Sequence, residues 1–153
     1  MPELQYGFDA LGGVWDIFGS LQYVTESTRT LLGATTEFEG TVDTANPGVP
    51  EWQANARARY SRDQWSTFLQ MRYIGKGLWN NTNAPGRFSI MGADASYIWN
   101  AGFNYEFTDS ISAQLNINNI LDELPSPQVI AQGDDNRYGN IGRFYRLSLQ
   151  ITL

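Results

Sequence analysis

The stretch Trp52-Gln53-Ala54-Asn55-Ala56-Arg57-Ala58-Arg59-Tyr60 alternates apolar or small residues with polar residues at every position. Because successive side chains of a β-strand point to opposite faces, this pattern predicts a strand with one apolar and one polar face. Residues 65–73 repeat the pattern, and Phe68 is the only large apolar residue at their polar positions. Together the two segments predict a β-hairpin whose faces differ in polarity.

The same alternation recurs along the chain and predicts an all-β protein. Further strands are predicted at residues 3–9, 15–25, 97–107, 111–118 and 143–153. Short turns are predicted at 10–14, 61–64 and 108–110, and long loops at 26–51, 74–95 and 119–142. Because short and long connections alternate, all turns should lie at one end of an antiparallel up-and-down sheet, as they do in transmembrane β-barrels.

Aromatic residues concentrate at both ends of the predicted apolar face. Those next to short turns are Trp15, Tyr60, Trp65, Tyr105 and Phe107, and those next to long loops are Tyr23, Trp52, Tyr73, Tyr97, Trp99 and Tyr145. Membrane barrels carry such aromatic girdles at the two interfaces, whereas the core of a β-sandwich would place its large residues in mid-strand. The pattern therefore predicts an antiparallel up-and-down transmembrane β-barrel segment. The alternative is a soluble or surface β-sandwich that binds carbohydrate through its aromatic residues.

Composition excludes several chemistries. The 153 residues contain no cysteine and no histidine, which excludes thiol nucleophiles, Ser-His pairs, the usual zinc sites and disulfides. The net charge of −6 opposes nucleic-acid binding. The mean hydropathy of −0.36, together with the lack of any apolar run of about 18 residues, excludes a transmembrane helix but not membrane strands. The start Met1-Pro2-Glu3 lacks the features of a secretory signal.

No cofactor, metal site or enzymatic activity is predicted. The run Gly133-Asp134-Asp135-Asn136 offers oxygen ligands but lacks the spacing of a calcium loop. The carboxylate pairs Asp122-Glu123 and Asp134-Asp135 would suit an acidic hydrolase only if they faced each other across a cleft, and no pattern in the sequence places them so.

The predicted strands are too few to close a barrel. The smallest barrels that fill their interior with side chains have about eight strands. An open sheet would leave backbone groups unpaired in hydrocarbon at its first and last strands, each at several kcal/mol. We therefore expect the chain to be part of a larger barrel.

Three motifs resemble the TonB-dependent outer-membrane receptors. Residues 116–123, Asn-Ile-Asn-Asn-Ile-Leu-Asp-Glu, are similar to the family's penultimate-strand signature, with departures at Ile120, Leu121 and Glu123. Residues 142–153 resemble its closing strand, although the chain ends in Leu153 where the family usually has Phe. Pro50-Glu51-Trp52, followed by two strands and Arg72-Tyr73-Ile74-Gly75, resembles the order before the last three strands.

The resemblance implies a barrel of about 22 strands around an N-terminal plug that binds the TonB complex. Residues 1–153 would be the C-terminal part of that barrel, its last six to seven strands, with the plug absent. The complete receptor would lie in the outer membrane of a Gram-negative bacterium and import a ferric siderophore, cobalamin, haem or an oligosaccharide. The implied partners are outer-membrane lipid, the remaining barrel and plug, the TonB complex through that plug, and the imported ligand.

The polar face would then line the lumen. Lumen-facing candidates for ligand binding are Arg57, Arg72, Asn100, Asn104 and Arg146. One interpretation of the arginines of this face, Arg57, Arg59, Arg72 and Arg146, is contact with the plug or with an anionic ligand. The favoured interpretation is solvation and pairing with wall carboxylates such as Glu106.

Overall fold

The computed structural model describes residues 2–41, 49–78, 92–124 and 141–152. The regular secondary structure of these residues consists of eleven strands: β1 Glu3–Ala10, β2 Gly13–Tyr23, β3 Thr28–Leu31, β4 Ala34–Glu37, β5 Trp52–Arg62, β6 Trp65–Ile74, β7 Gly77–Leu78, β8 Gly92–Ala93, β9 Ser96–Thr108, β10 Ile111–Asn118 and β11 Phe144–Ile151. Among them there is no helix with the length and apolar character needed to cross a membrane.

Seven of the strands form one antiparallel sheet. Its order is β1-β2-β5-β6-β9-β10-β11, so every strand pairs with the next long strand along the chain. This up-and-down topology confirms the predicted all-β fold, and the bounds of the strands agree with the prediction to within about two residues.

The register keeps like residues on the same face across the sheet. Ile17 pairs with Ala58, Ala58 with Leu69, and Leu69 with Ala101. Because a shift of one residue would exchange the two faces, this register preserves one continuous apolar face. The opposite side, here called the polar face, carries the intervening residues, for example Arg57 opposite Gln70.

Aromatic side chains line both ends of the apolar face, as predicted. At the end with the short turns, here called the turn rim, the ring centroids of Trp15 and Tyr60 are 5.0 Å apart and those of Tyr60 and Trp65 are 5.2 Å apart. At the opposite end, here called the loop rim, the ring centroids of Tyr23 and Trp52 are 4.4 Å apart. These positions match the two aromatic girdles of a membrane barrel.

The tight turn between β1 and β2 depends on backbone conformation. Leu11 has a φ of 57° and Gly12 a φ of 75°, as a two-residue type I′ hairpin turn requires. A Cβ atom on Gly13 would lie 2.5 Å from the Ser61 carbonyl oxygen, so the close approach of the next strands needs glycine there. The Tyr60 hydroxyl donates a hydrogen bond to the Leu11 carbonyl oxygen at 2.9 Å and ties the turn to β5.

The long connections contain regular structure that the sequence pattern did not predict. The hairpin β3–β4 lies within residues 26–51, and the short pair β7–β8 lies within residues 74–95. Four-residue and two-residue strands are too short for period-2 alternation to mark them. Of the connection 119–142, the described residues are 119–124 and 141–142.

The most buried side chains lie at the loop rim and not under the sheet. Phe38, Thr41, Pro50 and Ile74 are all nearly inaccessible to solvent. The two connections meet here, because the Leu78 amide donates a hydrogen bond to the Gly40 carbonyl oxygen at 2.8 Å. The described parts of these connections therefore form a small packed layer at one end of the strands.

The apolar face of the sheet is uncovered. In mid-sheet, Leu69 is 45% exposed and Phe103 is 44% exposed, and within the described ranges no second layer packs on them. A sheet with one apolar face needs an apolar partner on that face. In a β-sandwich that partner would be a second sheet. The described fold therefore favours a membrane-spanning sheet over the sandwich alternative.

Phe68, the exception in the polar pattern of residues 65–73, covers a glycine on the neighbouring strand. A Cβ atom on Gly102 would lie 2.2 Å from Phe68 Cε1 and 2.8 Å from Asn116 Oδ1. The ring therefore occupies the space that a side chain at 102 would take, a pairing known to support glycine in sheets.

We predict that Gly102→Ala destabilises the sheet by about 1–3 kcal/mol, since the new methyl group displaces the Phe68 ring. Urea unfolding in detergent micelles measures the change. Phe68→Ala should relieve the clash, so the double variant is expected to lose less than the sum of the two single changes. Additive losses would show that the ring does not occupy the space over residue 102.

Candidate functional site

A groove of about 290 Å³ lies at the centre of the polar face. Its polar lining residues come from four neighbouring strands: Arg57 and Arg59 from β5, Ser66 and Gln70 from β6, Asn104 from β9 and Gln114 from β10. Phe68 and Gly102 lie between them, so an aromatic ring forms part of the surface. The antiparallel register aligns these residues, with Arg57 opposite Gln70 and Asn104 opposite Gln114.

Both groove arginines contact neutral groups. Arg57 Cζ lies 5.9 Å from the centroid of the Phe18 ring, which is a cation–π contact. Arg59 Nη2 donates a hydrogen bond to Ser66 Oγ at 3.4 Å. Asp16 is opposite Arg59 in the register, but within the described residues no carboxylate lies within 4.0 Å of either guanidinium. The groove therefore presents two guanidinium groups that no carboxylate of the described residues holds in an ion pair.

The structure places all five predicted residues on the polar face but brings only Arg57 and Asn104 into the groove. Arg72 is half-buried nearer the loop rim, opposite Ile98. Arg146 lies on the edge strand β11, opposite Asn116.

Ser66, Gln70 and Gln114 were not predicted as site residues. Alternation assigned them to the polar face, but their proximity to Arg57 depends on the register of four strands. Pairing the predicted strands through their short turns is the one sequence signal that could have aligned them.

Asn100, also predicted as a ligand contact, has a structural role. Its Oδ1 accepts a hydrogen bond from the backbone amide of Asn119 at 2.9 Å. Asn119 is 4% exposed, and its backbone has a φ of 53°. Its side chain accepts a hydrogen bond from the Glu123 amide at 2.9 Å and donates one to the Glu123 carbonyl oxygen at 2.7 Å. We call residues 119–123 the Asn119 turn.

The Asn119 turn connects three strands at the loop rim. The Ile120 amide donates a hydrogen bond to the Trp99 carbonyl oxygen in β9 at 2.8 Å. Asp122 Oδ1 accepts a hydrogen bond from the Arg143 amide, just before β11, at 2.6 Å. The motif at 116–123 thus holds β9, β10 and β11 together where the long connection leaves the sheet.

The described residues contain no arrangement suited to a metal ion. No group of three or more acidic residues that could hold one occurs among them, and Gly133-Asp134-Asp135-Asn136 lies outside the described residues. Asp122 and Glu123 accept hydrogen bonds from the backbone amides of Arg143 and Tyr97. These carboxylates therefore serve the Asn119 turn and do not face each other as an acid–base pair.

Comparison with known protein families gives a match over most of the chain. A family model described as TonB dependent receptor-like, beta-barrel, matches residues 3–120. The matched region includes β1 to β10 and therefore the whole groove. No curated protein and no solved structure matches the chain.

Proposed function

The chain belongs to the TonB-dependent receptor β-barrel family, and from that membership we propose that it forms part of the wall of a nutrient-import receptor in the outer membrane of a Gram-negative bacterium. The family consists of outer-membrane receptors and transporters and not typically of enzymes. The proposed cargo is a scarce nutrient: a ferric siderophore, cobalamin, haem or an oligosaccharide.

The uncovered apolar face is the observation that carries this proposal. It is continuous over seven strands, mostly aliphatic or small in the middle and aromatic at both rims. Lipid tails would cover the middle, and the interfacial headgroup region would receive the aromatic rings. The polar face would then line the barrel interior.

The two edges of the sheet support placement in a larger barrel. Within the described residues β1 pairs only with β2, and β11 pairs only with β10. Unpaired strand edges are unfavourable in lipid, since each backbone group left without a hydrogen bond raises the free energy by several kcal/mol. We propose that residues 1–153 are the C-terminal part of the barrel domain and that further strands and a plug, which engages the TonB complex, complete the receptor.

Site-directed spin labelling tests the lipid-facing assignment. The chain has no cysteine, so single cysteines at 113, 115 and 117 or at 112, 114 and 116 can be labelled without background. In phospholipid vesicles, we expect labels at the odd positions of β10 to be accessible to dissolved oxygen and labels at the even positions to a water-soluble nickel chelate.

The period of two is the decisive result, because it follows from the alternation of side chains in a strand. Equal accessibility of both sets, or a soluble monodisperse chain without membranes, would contradict the proposal and favour the carbohydrate-binding sandwich.

A further inference from the structure

The groove on the polar face presents two guanidinium groups that form no ion pair with a carboxylate of the described residues. Arg57 and Arg59 are two positions apart on β5, so both side chains project from the same face. Their contacts are with the Phe18 ring and the Ser66 hydroxyl, both uncharged. Asp16, the acid opposite Arg59 in the register, forms no ion pair with it.

The remaining lining is suited to an organic anion. Gln70, Asn104 and Gln114 carry amide groups that both donate and accept hydrogen bonds. The Phe68 ring adds an apolar surface beside the two guanidinium groups. Binding sites for small molecules commonly combine such an apolar surface with a few placed polar groups.

The geometry points to a carboxylate-binding site at Arg57 and Arg59, with the apolar body of the occupant against Phe68. The planar guanidinium fork matches a carboxylate with two parallel hydrogen bonds. The groove volume of about 290 Å³ suits a small organic acid or one acidic side chain with its neighbours. Inorganic phosphate, which lacks an apolar body, should bind more weakly.

This inference rests on the proposed function only for the source of the carboxylate. If the polar face lines the lumen, the carboxylate belongs either to an imported organic acid or to an acidic side chain of a peptide segment inside the barrel. Both present the same group to the two arginines, and the experiment uses a probe for each.

Saturation-transfer difference NMR on the full chain in a deuterated maltoside detergent measures binding. The observed probes are benzoate, its neutral analogue benzamide, and a blocked Gly-Asp-Gly peptide with its neutral Gly-Asn-Gly counterpart. Inorganic phosphate, which has no carbon-bound protons, is added as a competitor of benzoate. We expect benzoate to bind at least about tenfold more tightly than benzamide, since charge-assisted hydrogen bonds are lost in the neutral analogue. If the aspartyl peptide is preferred over its asparaginyl counterpart by a larger factor than benzoate is over benzamide, the source of the carboxylate is a peptide segment.

Substitutions locate the site. Arg57→Gln combined with Arg59→Gln should reduce benzoate binding to the benzamide level. Arg62→Gln is the matched control, because Arg62 lies at the turn rim on the apolar face and pairs with Asp63 at 3.4 Å. It should leave benzoate binding unchanged.

Equal binding of benzoate and benzamide to the unsubstituted chain would overturn the inference, and so would full benzoate binding by the double variant. The first comparison needs no variant, so it decides the question even if the double variant fails to fold. Neither outcome affects the alternation of spin-label accessibility in β10, so failure of this site is distinguishable from failure of the proposed function.

Discussion

In the complete barrel, Leu115→Arg is expected to reduce insertion into phospholipid vesicles by about 2–4 kcal/mol, the range measured for arginine on the lipid face of a barrel near the bilayer midplane. Leu115 lies in the middle of β10 on the apolar face, between Phe103 of β9 and Leu147 of β11. It is 39% exposed, so the arginine would enter the surface assigned to lipid.

Ser112→Arg is the matched control for this prediction. Ser112 lies on the polar face of the same strand, opposite Glu106 of β9 and Gln150 of β11. Gln114 and Asn116 suit this purpose less well, since an arginine at 114 would join Arg57 and Arg59 in the groove and one at 116 would be opposite Arg146. The fraction of chain protected from protease after insertion gives the comparison, and equal yields for the two variants would reverse or abolish the assignment of faces.

The long strands were predictable because each contains enough residues for a period of two to be visible. Residues 52–60 and 65–73 mark β5 and β6 in this way, and a single short turn then fixes how they pair. The hairpin β3–β4 was missed because each of its strands has four residues and both are fully exposed, so no buried face imposes an alternating pattern.

The groove was predictable only in part. Alternation placed Arg57 and Asn104 on the polar face, but these residues are 47 positions apart in sequence and lie on β5 and β9 with β6 between them. Their proximity depends on the registers of both the β5–β6 pair and the β6–β9 pair. In sequence, Phe68 is only an exception to the alternation, because nothing in the local pattern indicates that its ring fills the space over Gly102 on the next strand.

The motif at 116–123 was recognised by its resemblance to a family signature. Its physical role is visible only from the hydrogen bonds in the structure. From the alternation in sequence, a polar residue such as Asn100 is predicted to face the lumen. The structure uses its side-chain oxygen to hold the backbone of Asn119. Asn119 is suited to this position, because asparagine tolerates a positive φ and its amide can both donate and accept.

Replacing Asn119 tests that role. Asn119→Ala should destabilise the sheet by about 2–4 kcal/mol, because it leaves the Glu123 amide and carbonyl without their partners and places alanine at a left-handed φ. Asn119→Gly removes the same hydrogen bonds but accepts the backbone conformation, so it should lose less than alanine. Urea unfolding in detergent micelles measures both changes.

The set of amides whose hydrogen exchange accelerates in Asn119→Ala distinguishes a turn that joins three strands from a local contact. Hydrogen exchange of the Ile120 and Arg143 amides, which bond to Trp99 and Asp122, should accelerate along with that of Glu123 in Asn119→Ala.

Asn118→Ala is the control, since Asn118 lies one position earlier and its side chain has no hydrogen bond within the described residues; its effect should stay within about 0.5 kcal/mol. If only the Glu123 amide exchanged faster, the Asn119 turn would cap one connection and would not join β9, β10 and β11. Faster exchange at all three amides would instead show that one buried asparagine holds the loop rim of three strands, which is the reason we offer for its place in the motif.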